Sequence, residues 1–152
     1  MSLSDRIFYC SVFAVIAFLF QPPALLLADD CVQERSTLPA PYDVYTQTNP
    51  LEATPENILA GKKLYQNEAK PVSCSHCHGI LGKGKGITAS VMAVKPRDFT
   101  CQAMMKDISD GQLFWVIKKG SNGTNMWGYH TLSDKQIWQI VLYLRQFSTP
   151  RH

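Results

Sequence analysis

Residues 74–78 read Cys74-Ser75-His76-Cys77-His78, and no other stretch constrains the chain so tightly. Two thiols three positions apart with a histidine directly after the second match the attachment peptide of a c-type haem. The spacing lets both thiols reach the two vinyl groups of one porphyrin as thioethers, while His78 turns its imidazole to the iron. Zinc binding fits less well, because a tetrahedral site needs four ligands and only Cys31, Cys101 and scattered histidines are left to complete it. A thioredoxin-type dithiol would need a strand-helix setting, and Cys77 is followed by histidine and glycine. The pentapeptide therefore predicts one covalent haem and its proximal ligand. His76 occupies a variable position of the motif and is expected to point away from the iron.

The N-terminus carries Arg6, an apolar run from Ile7 to Phe20, Gln21-Pro22-Pro23, and a second apolar patch ending at Ala28. This pattern predicts a signal peptide over residues 1–28, cleaved near Ala28, and hence an exported protein. The competing possibility is a retained anchor, since the segment approaches the ~20 residues that cross a bilayer. Pro22 and Pro23 in mid-span argue against a stable anchor. Neither Cys10 nor Cys31 follows the small residues expected before a lipid-modified cysteine.

Cleavage leaves about 124 residues, enough for one small domain. The net charge stays at +3, and two haem propionates would reduce it to roughly +1, too little for nucleic-acid binding. Of five cysteines, Cys10 goes with the leader and the haem takes Cys74 and Cys77. Cys31 and Cys101 remain, either as a disulfide in an oxidising compartment or as two unpaired thiols.

Residues 29–53 are rich in Pro, Thr and Asn without helical period, which predicts an extended arm or a wrapped loop. The compact domain is expected over 54–149, with 150–152 as a tail. Its first helix opens at Thr54 with Pro55 at the first helical position. Its second opens at Ser109, with Gln112 completing a capping box, and stops at Gly120. A third repeats the device at Ser133 and Gln136, and Ile137, Ile140, Val141, Leu144 and Phe147 form its apolar stripe. No alternating strand pattern is visible, so the fold class is all-α.

Two further pieces accompany the pentapeptide: Lys95-Pro96-Arg97-Asp98-Phe99, and the run Gly120 to Tyr129 leading into Leu132-Ser133-Asp134. With them, residues 54–149 resemble a class I monohaem cytochrome c of the bacterial periplasmic kind, whose three main helices and loops wrap one covalent haem. The resemblance implies that Met126, on a Gly-rich loop, meets the iron opposite His78, although Trp127 stands where the family usually has proline. A flexible thioether can reach the sixth position without distorting a helix. His130 and Cys101 are the rival ligands, and Met92, Met104 and Met105 are expected as core filler. Pro96 resembles the proline whose carbonyl accepts the proximal histidine's ring N–H. Arg97 is a candidate partner for a propionate. Gly61 and Tyr65 with Ile140 and Tyr143 match the family's helix crossing. Trp115, Trp127 and Trp138 are expected to wall the haem or fill the core.

Haem c attachment in bacteria takes place outside the cytoplasm, in keeping with export. A histidine and a methionine would leave no open coordination site, so the chain reads as an electron carrier and not as an enzyme. Lys62, Lys63, Lys70, Lys83, Lys85, Lys95 and Arg97 could form a basic ring that steers an acidic patch on a redox partner to the haem edge. Two alternatives stay open: a haem subunit of a larger oxidoreductase docked through the arm, and a haem enzyme or gas sensor if Met126 is not a stable ligand.

Overall fold

Three side-chain caps decide where the main helices begin. In the computed structural model, which describes residues 31–149, the Thr54 hydroxyl accepts from Asn57 N at 3.3 Å. Pro55, whose missing N–H costs nothing at that point, starts the helix there. The elements in chain order are α1 (Tyr42–Tyr45), α2 (Pro55–Lys63), α3 (Cys74–His78), α4 (Gln102–Met105), α5 (Asp110–Lys119) and α6 (Asp134–Ser148). A wide helical turn, Leu64–Glu68, prolongs α2. There are no strands among the described residues, only an isolated bridge between Gly120 and Trp127.

At α6 the capping box is complete: Ser133 Oγ accepts from Gln136 N at 3.3 Å and Gln136 Oε1 accepts from Ser133 N at 2.9 Å. At α5 only half of the expected box forms. Ser109 Oγ accepts from Gln112 N at 3.0 Å, but the Gln112 amide turns away to the arm, accepting from Ala40 N at 2.7 Å and donating to Leu38 O at 3.1 Å. The arm's backbone groups have no helix or sheet of their own, so a long amide that satisfies a donor and an acceptor together is better used there.

The core lies where α2 and α5 meet α6. A Cβ on Gly61 would come within 1.9 Å of Gln139 O and 3.1 Å of Tyr143 Cβ, so only glycine allows this crossing. Tyr65, fully buried, packs its ring edge-on to Tyr143 at 5.4 Å. Phe114 of α5 stacks on Trp138 of α6 at 4.4 Å. Arg145 then ties three elements together: Nε donates to Asp110 Oδ1 at 2.8 Å, and its terminal nitrogens donate to Met105 O and Ile108 O at 2.7 and 2.6 Å. Charge-assisted bonds of this kind are stronger than neutral ones and fix direction as well as distance.

Residues 31–53 wrap this body. Cys31 and Cys101 form a disulfide. Gln33 donates to Pro96 O at 3.2 Å and accepts from Asp98 N at 2.9 Å. Asn49 donates to Trp138 O at 2.9 Å, and Gln47 O accepts from Gly111 N at 3.1 Å. Between these anchors α1 interrupts the expected loop, its first turn formed by Val44 N and Tyr45 N donating to Pro41 O. No helix among the described residues is long and apolar enough to cross a membrane. The proposed leader lies outside the described residues.

Candidate haem site

The pentapeptide folds as the single turn α3, which puts Cys74 and Cys77 on one side and leaves His78 at its last position. Both thiols are free. Burial pushes the Cys74 thiol up to about 12, keeping it protonated. Tyrosine hydroxyls hold both flanks of the turn: Tyr129 Oη donates to Val72 O at 2.8 Å and Tyr65 Oη to Gly79 O at 2.7 Å. The following loop folds back, with Gly84 N donating to His78 O and Gly86 N to Cys77 O, each at 2.9 Å.

His78 Nδ1 lies 3.0 Å from the carbonyl of Arg97. A carbonyl only accepts, so Nδ1 carries the proton and Nε2 keeps its lone pair for a metal. This corrects the assignment to Pro96. In the run Lys95 to Asp98, the Pro96 carbonyl accepts from Gln33 of the arm, and the next one, of Arg97, accepts from the imidazole. The His78 ring stacks on Phe99 with centroids 4.5 Å apart. Burial lowers its pKa to about 4 against the opposing pull of the Arg97 carbonyl, and the charges of Arg35 and Arg97 lower it further. Neutral imidazole is the form that binds iron.

A cavity of about 410 Å³ opens beside this ring, lined by Cys77, His78, Met126 and apolar side chains including Phe99, Leu113 and Ile117. Met126 reaches it on the loop after α5. Gly120 ends α5 with φ 85°, where a Cβ would meet Met126 O at 2.7 Å. Ser121 N donates to Met126 O at 2.8 Å and Met126 N donates to Thr124 Oγ1 at 3.0 Å. Tyr129 N returns the chain to α5 through Ile117 O at 2.9 Å.

The rival donors are elsewhere. His130 is exposed and not part of the lining, and Cys101 is committed to its disulfide. Of the methionines expected as filler only Met105 is core, with no exposed surface, whereas Met92 and Met104 line the cavity. Trp138 is buried as expected, but Trp127 is 45% exposed and is not part of this cavity's lining. Its neighbour Met126 turns inward, and adjacent residues of an extended loop point to opposite sides.

The family model for cytochrome c matches residues 58–148. The chain belongs to the cytochrome c family. It carries haem c, covalently attached, and haem-based electron transfer is the chemistry this membership brings. The residues fit such a group: the cavity is within the volume range of ligand sites, the Cys77 thiol and an imidazole with a free lone pair border it, the Cys74 thiol sits one turn away on the same short helix, and one buried polar atom, Arg35 Nε, has no partner. Among solved structures this cytochrome is similar to a chain of the reducing HAO-like protein complex of Kuenenia stuttgartiensis. The TM-score is 0.59 and the identity 27%, covering 88% of this chain and 54% of that one. It thus spans about half the length of that relative. No curated protein matches the sequence.

The arm's part in the lining, through Gln33, Arg35 and Thr37, escaped the sequence reading. The period of two there lies in burial, with odd positions from Cys31 to Thr37 half-buried and even ones exposed, while residues 33–37 are polar throughout.

Proposed function

We propose that this cytochrome is a single-haem electron carrier in which Cys74 and Cys77 form the thioethers and His78 and Met126 hold the iron. The observation that carries it is that the Met126 loop and the His78 ring border one cavity while His130 and Cys101 do not compete. When bound, the haem supplies a one-electron couple. His78 keeps its tautomer through Arg97, Met126 favours the reduced state, and the apolar lining excludes water. The test is the visible spectrum of the oxidised holoprotein. A sulfur-to-iron charge-transfer band in the far red is expected, and it should vanish in Met126→Ala and persist in His130→Ala. Absence of the band in the unaltered protein, with rapid carbon monoxide binding, would overturn the ligation and favour an enzyme or sensor.

Export after cleavage near Ala28 is part of the proposal, and the disulfide supports it, because such bonds persist in oxidising compartments. Intact mass of the purified holoprotein should equal residues 29–152 plus one haem. Partner docking is assigned to exposed Lys62, Lys63, Lys70, Lys83 and Lys85. Lys95, also exposed, belongs with them: its ammonium donates to Ala89 O and Ser90 O, which positions the charge without neutralising it. Transfer to the native partner should slow as salt rises.

The likeness to a chain from a protein complex favours a second possibility, a fixed haem subunit of a larger oxidoreductase. Size exclusion of a native extract separates the two: a free carrier elutes alone, a subunit with its partners.

A further inference from the structure

The family match begins at residue 58, yet the cavity wall includes Gln33, Arg35 and Thr37 from the arm. These side chains are held in place at both ends of their segment. The Cys31–Cys101 disulfide fixes one end and the Gln112 amide fixes the other at Leu38 and Ala40. Gln33 pins the middle to Pro96 and Asp98. A residue between such anchors loses little further freedom when it meets a ligand.

Arg35 donates to Gln33 Oε1 at 3.1 Å and to the carbonyl of Lys95. Its Nε, however, is buried with no hydrogen-bond partner. Arg97 lines the same cavity. Among the described residues neither guanidinium has an ion pair, the pairs present being Lys118 with Asp134 and Arg145 with Asp110. Asp107, the acid in the lining, is exposed and pairs with neither. Burial lowers the pKa of both arginines, and the charge of Arg35 lowers that of Arg97 further. Two cations on one partly desolvated wall are costly unless an anion belongs between them and the cavity. The group that belongs in this cavity carries two carboxylates, and a guanidinium fork matches carboxylate geometry.

We propose that Arg35, delivered by the arm, joins Arg97 in binding the haem carboxylates, so that the arm is part of the haem site and raises the haem's reduction potential. A cation near the carboxylates offsets their negative charge, and removing it favours the oxidised iron. The proposal rests on haem in the cavity and is independent of which residue fills the sixth position.

The test is potentiometry of holoprotein at low and high salt for Arg35→Gln, Arg35→Lys and Lys83→Gln. Arg35→Gln should lower the midpoint potential, and most of the shift should survive high salt because a half-buried charge is screened less than an exposed one. Arg35→Lys should recover part of it, keeping the charge without the planar fork. Lys83→Gln removes one exposed charge and should give a small shift that salt abolishes. Arg35→Gln matching the unaltered protein, or matching Lys83→Gln in size and salt response, overturns the proposal. Should Arg35→Gln fail to accumulate, Arg35→Lys and the propionate modes in the resonance Raman spectrum of the unaltered protein decide it. A propionate signature like that of water-exposed haem counts against it. The far-red band, recorded on the same samples, reports the sixth ligand separately.

Discussion

The Tyr129 hydroxyl donates to the Val72 carbonyl across 2.8 Å, joining two segments 57 residues apart. Tyr129 is three residues beyond Met126, and Val72 is two before Cys74. One side chain therefore sets the distance between the Met126 loop and the haem peptide. Tyr129 is 4% exposed, so no water replaces the bond if it is lost. Tyr129→Phe should cost about 1–2 kcal/mol and lower the melting temperature by several degrees. It should also speed displacement of the far-red band by added imidazole, which stopped-flow absorbance would record.

Gly61 tolerates no side chain, since a Cβ would overlap Gln139 O. Gly61→Ala must push α2 off α6, and the expected loss is about 3 kcal/mol or more. Haem-stained protein in extracts should fall sharply, whereas Leu59→Ala on the exposed face of the same helix should leave the yield unchanged.

Replacing Cys31 and Cys101 together by serine opens a loop with a separation of 70 residues. The cost should be about 2–4 kcal/mol, chiefly from freedom returned to the unfolded chain. Denaturant midpoints of the double variant should fall to those of the reduced native protein, with the haem still attached.

Alkaline pH should weaken the fold through Tyr65 and Tyr129. Burial raises both phenols above their ordinary value, and this cause persists once the thiols have become thioethers. The native state therefore holds these protons longer than the unfolded chain does. Their contribution is fully present below the unfolded value of about 10 and is lost as pH rises beyond it. Urea midpoints should decline above that pH, and the decline should be shallower in Tyr129→Phe.

Local signals were the most legible. Thr54, Ser109 and Ser133 mark helix starts because a cap needs only a hydroxyl and the next turn's amide, both close in sequence. The haem peptide is legible for the same reason. What depended on long-range direction was not. Whether Pro96 or Arg97 faces His78 turns on which way one peptide plane lies, and Gln112 serves the arm because of a backbone more than 70 residues away. Arg35 was missed because its alternating neighbours are polar, whereas the period-two signal is sought in apolar residues. Met92 and Met104 look like filler in sequence, and only the course of the chain puts them on the cavity wall.

The grip on His78 bears on the speed of electron exchange. Its ring is held at Nδ1 by the Arg97 carbonyl, across its face by Phe99, and through its own carbonyl by Gly84 N. An imidazole held at its edge and across its face, on a backbone that is itself tied down, has little room to rotate or slide when the charge beside it changes. Because its dipoles are already aligned, little reorganisation energy is spent on moving protein. With His78 on the iron as proposed, this side of the haem site would add little to the barrier for electron exchange.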